Sequence, residues 1–156
     1  SHAYEALADP KYANRPGLRQ FDPECLVCHT TGFEYVGGFD SAAKTAHLKH
    51  NGCENCHGPG SGHAARPFDK TLYPSLMTWK SDPKVRMPDK AKLEKLAALK
   101  SKPLERSQAT GSLLSADEVR YVNAVSTMCM KCHDGENDPK FDIYEYFPKI
   151  HHSGLK

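Results

Sequence analysis

All six cysteines of this chain fall into three copies of one pattern: Cys25-Leu-Val-Cys28-His29, Cys53-Glu-Asn-Cys56-His57 and Cys129-Met-Lys-Cys132-His133. Two thiols separated by two residues can each add to a vinyl group of the same porphyrin, and the histidine directly after them reaches the iron from one face. Each copy therefore reads as a clip for one covalently attached c-type haem, three haems in all. Other cysteine chemistries explain less. A zinc ribbon built from Cys25, Cys28, Cys53 and Cys56 leaves the histidine after every pair as coincidence. Disulfides impose no two-residue gap followed by histidine, and a thioredoxin-like redox motif needs a βαβ setting that is not visible around any of the three.

Three irons held in this way each still lack a sixth ligand. The chain has nine histidines; outside the motifs stand His2, His47, His50, His63, His151 and His152, enough for bis-histidine coordination throughout. For any one of them the ordinary alternative is a surface position or a hydrogen bond to a haem propionate. A methionine ligand would raise the reduction potential relative to histidine. Met128 directly precedes the third motif and Met130 lies within it, so neither can readily reach the far face of that haem; Met77 and Met87 stay open as ligands, with packing the commoner role. His47 and His50 are the spare histidines nearest the first motif in sequence. His63 follows His57 by six residues, at most about 20 Å if fully extended, and the intervening glycines and Pro59 favour a tight turn. If His63 is a ligand, it therefore serves a different haem from the one clipped by Cys53, Cys56 and His57.

The elements that must position these groups are short. Hydrophobic residues make up 38% of the 156 positions and charged residues 26%, with a mean hydropathy of −0.65. That is poor material for a purely protein core at this length, whereas three flat macrocycles can supply one. Eleven prolines and eleven glycines favour loops. Short helices and loops can pack around such surfaces, so that the haems themselves become the core.

Along the chain, "SHAYEALADP" is a short helical run stopped at Pro10, and "TTGFEYVGGFD" (30–40) is a small hairpin or extended loop around Gly37 and Gly38. Residues 66–88 form a proline-punctuated loop. "DKAKLEKLAALK" from Asp89 places Leu93, Leu96, Ala97 and Lys100 at helical spacing, its lysines forming a solvated face open to an acidic partner. Ser115 and Glu118 make a capping-box pattern ahead of a helix that carries Val119, Val122, Ser126, Cys129 and His133 on one face. In the aromatic tail, Pro148 is expected to end a short helix.

The formal charge is +2 with neutral histidines. Propionates of three haems add roughly −6 and ferric centres return about +3, so the holoprotein is near neutral or slightly acidic. No basic patch for nucleic acid appears beyond the lysine-rich helix, and no apolar run approaches a membrane span. Haem attachment of this kind occurs outside the cytoplasm, which points to a bacterial periplasm or its equivalent.

The phrases "CLVCHTTGF", "GCENCHGPGSGH" and "CMKCHDGENDPKF" resemble the cytochrome c-554/c-prime family of multihaem c-type cytochromes. The resemblance implies a mainly α fold, with few short helices and long loops packed around three closely spaced, covalently bound haems. It also implies that His63 is a distal ligand to a neighbouring haem, that His2 is a distal ligand carried on the "SHAYEAL" helix, and that His152 rather than His151 ligates from the "PKIHH" tail. Members of that family carry a further C-x-x-C-H upstream of the "SHA" helix, so residues 1–156 are read as a single trihaem domain that is either free-standing or a fragment of a larger multihaem protein. The function expected is transfer of single electrons between redox partner proteins, other multihaem cytochromes among them, through stacked bis-histidine haems, without catalysis. The alternative is a haem enzyme acting on hydroxylamine, nitrite or nitric oxide at one open-faced haem, for which the haem of Cys25, Cys28 and His29 is the candidate.

Overall fold

The computed structural model describes residues 2–11, 18–77, 85 and 87–150. The chain divides into two compact units, Ser1–Thr78 and Trp79–Lys156. Both are mainly helical, and no sheet occurs among the described residues.

In the first unit, α1 (Ala3–Ala6), α2 (Pro23–His29), α3 (Cys53–His57) and α4 (Ser61–Ala65) alternate with 3-10 turns at Arg19–Phe21, Ala46–Leu48 and Lys70–Leu76. The start of α2 is written in "DPE": the Asp22 carboxylate accepts from Glu24 N at 3.0 Å, and Pro23 at the first helical position has no N–H to leave unsatisfied. Tyr4, Leu7, Leu26 and Phe39 form the buried apolar cluster, so α1 lies against α2.

Residues 30–40 do not form paired strands. Two successive turns, closed by Tyr35 N to Gly32 O at 3.0 Å and Gly38 N to Tyr35 O at 2.9 Å, bring the chain back so that Phe39 N donates to Thr31 O at 3.0 Å. Gly32 and Gly37 take φ of +68° and +83°, a left-handed conformation that turns the chain away from a strand. An isolated bridge between Thr30 and Lys49 is the extended pairing present here.

In the second unit, α5 (Lys90–Ala98), α6 (Pro103–Leu113), α7 (Ala116–Cys129) and α8 (Ile143–Ile150) surround a core of Val85, Leu93, Leu96, Leu114, Tyr121, Val122, Val125 and Phe147. Leu93 and Leu96 are fully buried, as the spacing of their helix requires. The capping box forms: Glu118 N donates to Ser115 Oγ at 3.2 Å and Ser115 N to Glu118 Oε2 at 2.8 Å. Lys92 then reaches across from α5 to Glu118 at 2.8 Å.

Pro148 does not end α8, which runs on to Ile150 with the proline inside it. Its missing N–H costs a single bond close to the end of the helix, and burial of the ring beside Phe147 offsets that loss. α6 has no fully buried residue, which is why hydrophobic periodicity does not reveal it; Pro103 at its first position is its one sequence signal.

Candidate functional site

The three cysteine-histidine motifs share one local design. Cys25, Cys28 and His29 lie on α2, and Cys53, Cys56 and His57 on α3, each helix ending at its histidine. Gly58, at φ +73°, then turns the chain away from α3. In the third motif Cys129 is the last residue of α7, and His133 N donates to Cys129 O at 2.9 Å, so one more helical turn carries Cys132 and His133.

Each motif histidine has its Nδ1 engaged. His29 Nδ1 lies 2.5 Å from Ala3 O, His57 Nδ1 2.6 Å from Leu76 O, and His133 Nδ1 2.9 Å from Asp138 Oδ2. A carbonyl or a carboxylate oxygen only accepts, so Nδ1 carries a proton in all three, and in the neutral ring the lone pair is then on Nε2. That is the tautomer and the outer-shell support a metal-ligating histidine needs. No disulfide joins any two of the six cysteines. Burial pushes the Cys25 thiol up, with the Asp22 charge adding and Arg19 opposing; burial and then Cys53 do the same at Cys56. Cysteine pairs beside a histidine whose Nδ1 is engaged in this way fit a covalently attached haem at each motif.

The first two motifs are tied together by buried polar residues. Thr30 and Thr31, directly after His29, are 0% and 5% exposed. The Thr31 hydroxyl accepts from Gly52 N at 2.8 Å and sits 2.8 Å from His50 O and 2.9 Å from Asn55 Oδ1. Asn55 Nδ2 returns a bond to Thr30 O at 2.8 Å, and Gly52 N also donates to Asn55 Oδ1 at 2.9 Å. Asn55 lies inside the Cys53–His57 motif, so a residue between the two cysteines fixes its own helix to the end of the preceding one.

The spare histidines are dispersed. His63, on α4, packs edge-on against Tyr73 with ring centres 5.8 Å apart, and its buried Nδ1 has no hydrogen-bond partner among the described residues. His50 accepts from Tyr4 N at 3.3 Å and sits 3.0 Å from Glu5; its φ of +74° reflects the sharp turn before α3. His2, exposed, stands 6.2 Å from His50 between ring centres, and His47 is exposed. His152 and its neighbour His151 lie outside the described residues. Among the described residues no three His, Cys, Asp or Glu side chains gather into a metal cage. Met87 and Met128 pack against the core of the second unit, and Met130 is half exposed.

Beside His133 the second unit holds a cavity of about 550 Å³, lined by Arg106, Thr110, Ser126, Phe141 and Tyr144 among others. Arg106 grips Asp142 with two bonds of 2.6 and 2.5 Å, lies 4.5 Å over the Tyr144 ring, and buries an Nε without a partner among the described residues. His133 stacks on Phe141 at 5.0 Å and meets Tyr146 edge-on at 5.4 Å.

Sequence reasoning singled out neither Asp138 nor Arg106. Asp138, an acid five positions after a ligand-type histidine, was detectable as a signal; the carbonyls of Ala3 and Leu76 were not, because every residue type offers one.

Residues 2–58, which include the first two motifs, match the family model for cytochrome c554 and c-prime. A stretch of 39 residues is 44% identical to cytochrome c-554 of Nitrosomonas europaea, covering 25% of this chain and 17% of that protein. No solved structure matches the chain. No helix among the described residues is long and apolar enough to cross a membrane.

Proposed function

We propose that this chain is a trihaem c-type cytochrome, acting as one electron-transfer domain outside the cytoplasm and passing single electrons between redox partner proteins. The observation that carries the reading is the shared state of His29, His57 and His133: each has Nδ1 bound to an oxygen acceptor, which makes Nε2 the nitrogen that would ligate iron. Three repeats of a thiol pair with a histidine in that state fit three haems, and the likeness of residues 2–58 to the cytochrome c554 and c-prime family supports the same cofactor for the first two. Haem iron, when bound, supplies the one-electron couple. The chain's own residues hold the macrocycle by two thioethers, present Nε2 on one face, and fix the ring orientation through Ala3, Leu76 and Asp138.

The far face of each haem is taken, in this reading, by a spare histidine. His63 serves a haem other than the one of its own motif; its buried Nδ1, which has no hydrogen-bond partner among the described residues, fits a ring whose polar partner lies outside the protein. His2 and His152 serve as further distal ligands, with His47 and His50 the candidates nearest the first motif.

The test is a haem count by intact mass and alkaline pyridine spectrum on protein exported from a host that matures c-type cytochromes, followed by a redox titration under carbon monoxide. Three haems, all low-spin and unresponsive to carbon monoxide, are expected. Fewer than three attached haems would overturn the cofactor assignment, and a haem that binds carbon monoxide would favour catalysis at an open iron on hydroxylamine, nitrite or nitric oxide.

A further inference from the structure

The three motif histidines do not have equivalent partners. His29 and His57 donate from Nδ1 to neutral backbone carbonyls, whereas His133 donates to the carboxylate of Asp138. Asp138 sits on the short turn after the motif, where its backbone N–H donates to Asp134 O at 2.9 Å, and the Tyr146 hydroxyl hydrogen-bonds the same carboxylate. Phe141 and Tyr146 hold the His133 ring from two sides, at 5.0 and 5.4 Å between centres, so the imidazole is held in line with the acid. Of the cations that line the adjoining cavity, Arg106 is committed to Asp142 and Lys100 to Glu145.

Resting on the haem reading above, we propose that Asp138 is a positioning residue that lowers the reduction potential of the third haem and of that haem alone. A carboxylate accepting the Nδ1 proton pushes electron density through the ring to Nε2, making it a stronger donor to iron. A stronger donor stabilises the ferric state over the ferrous one, so the potential falls. Backbone carbonyls, without a net charge, do this less at His29 and His57. Tyr146 acts in the opposite sense, because a phenol that shares the carboxylate withdraws part of its charge from His133. The consequence is directional: electrons entering the chain are biased away from the third haem and toward the other two.

The experiment is a spectroelectrochemical titration of the holoprotein, of Asp138→Asn and of Tyr146→Phe. Mass analysis of the peptide holding Cys129 and Cys132 comes first; lack of a haem adduct there in the unaltered protein would defeat the haem reading itself. With haem in place, Asp138→Asn is expected to raise one of the three one-electron waves by about tenfold in its equilibrium ratio, about 59 mV, and leave the others where they are. Tyr146→Phe, which keeps the ring contact and removes the competing donor, is expected to lower that same wave. If Asp138→Asn moves no wave or moves all three together, or if Tyr146→Phe raises the wave or leaves it in place, the inference is overturned. Should Asp138→Asn fail to retain its haem, the sign of the Tyr146→Phe shift decides alone.

Discussion

Gly38 is pressed against Gly32: a Cβ on Gly38 would come to 1.6 Å from the Gly32 carbonyl oxygen. That approach lets the loop double back so that Phe39 reaches Thr31 O and buries its ring beside Tyr4, 5.5 Å away between centres. Gly38→Ala must therefore open the loop, and with it the seat of Thr31. A loss of about 1–3 kcal/mol or more is expected for the first unit, read as a lower denaturant midpoint. An unchanged midpoint would show that the loop yields at no cost.

His63→Ala addresses the proposed bridge between haems. All three haems should remain attached, because the substitution touches no thiol, while one iron loses its distal ligand and turns high-spin in the optical and paramagnetic spectra. If every iron stays six-coordinate, His63 is a packing residue against Tyr73.

The pair formed by Arg106 and Asp142 sets an acid limit on the second unit. Burial pushes the Asp142 carboxyl up, but the hydrogen bonds and charge of Arg106, with two backbone donors, outweigh it and hold the group below the ordinary value of 3.8. A group depressed in the folded state stabilises fully above its unfolded value and loses that contribution as pH falls through the folded one. Stability of this unit should thus decline as pH drops below about 4. Asp142→Asn should remove part of that slope, and at neutral pH should cost about 3–5 kcal/mol by leaving Arg106 buried and unpaired. Denaturant midpoints measured from neutral to acid conditions check both; parallel slopes in the two proteins would contradict the assignment.

Ser115→Ala removes the cap that starts the helix leading to Cys129. The expected cost is about 1 kcal/mol, measured by equilibrium unfolding, with the haem content unaltered. A change below a few tenths of a kcal/mol would mean that Glu118, held by Lys92, starts the helix without the hydroxyl.

What the sequence made legible is what depends on neighbours along the chain. The helical turn through each cysteine-histidine motif, the buried face of Leu93 and Leu96, and the Ser115–Glu118 box rest on spacings of two to four residues, which local backbone geometry reads directly. The mainly helical fold was what the family resemblance of those motifs implied. The supports of the site were hidden for a physical reason: Ala3 and Leu76 contribute main-chain oxygens, which carry no signature of residue type. α6 escaped because no side chain on it is fully buried: Ala109 and Leu113 meet the core only in part, and Arg106 spends its charge on Asp142. At 30–40 the alternation of aromatic and small residues suggested a small hairpin or an extended loop, and left-handed glycines at 32 and 37 favour a loop of turns over the hairpin. Pro148 was read as a stop, and burial next to Phe147 outweighed one lost bond.

The hydroxyl of Thr31 has a kinetic consequence. Tunnelling between two redox groups falls off exponentially with the gap separating them, so a conductor made of protein works only as steadily as that gap is held. Thr30, Thr31, Gly52 and Asn55 lock the end of α2 to the start of α3 through bonds of 2.8 and 2.9 Å. If groups carried on those two helices exchange electrons as proposed, the electronic coupling between them should stay nearly constant on warming and then be lost in one step when the lock melts, making loss of conduction and loss of structure a single event.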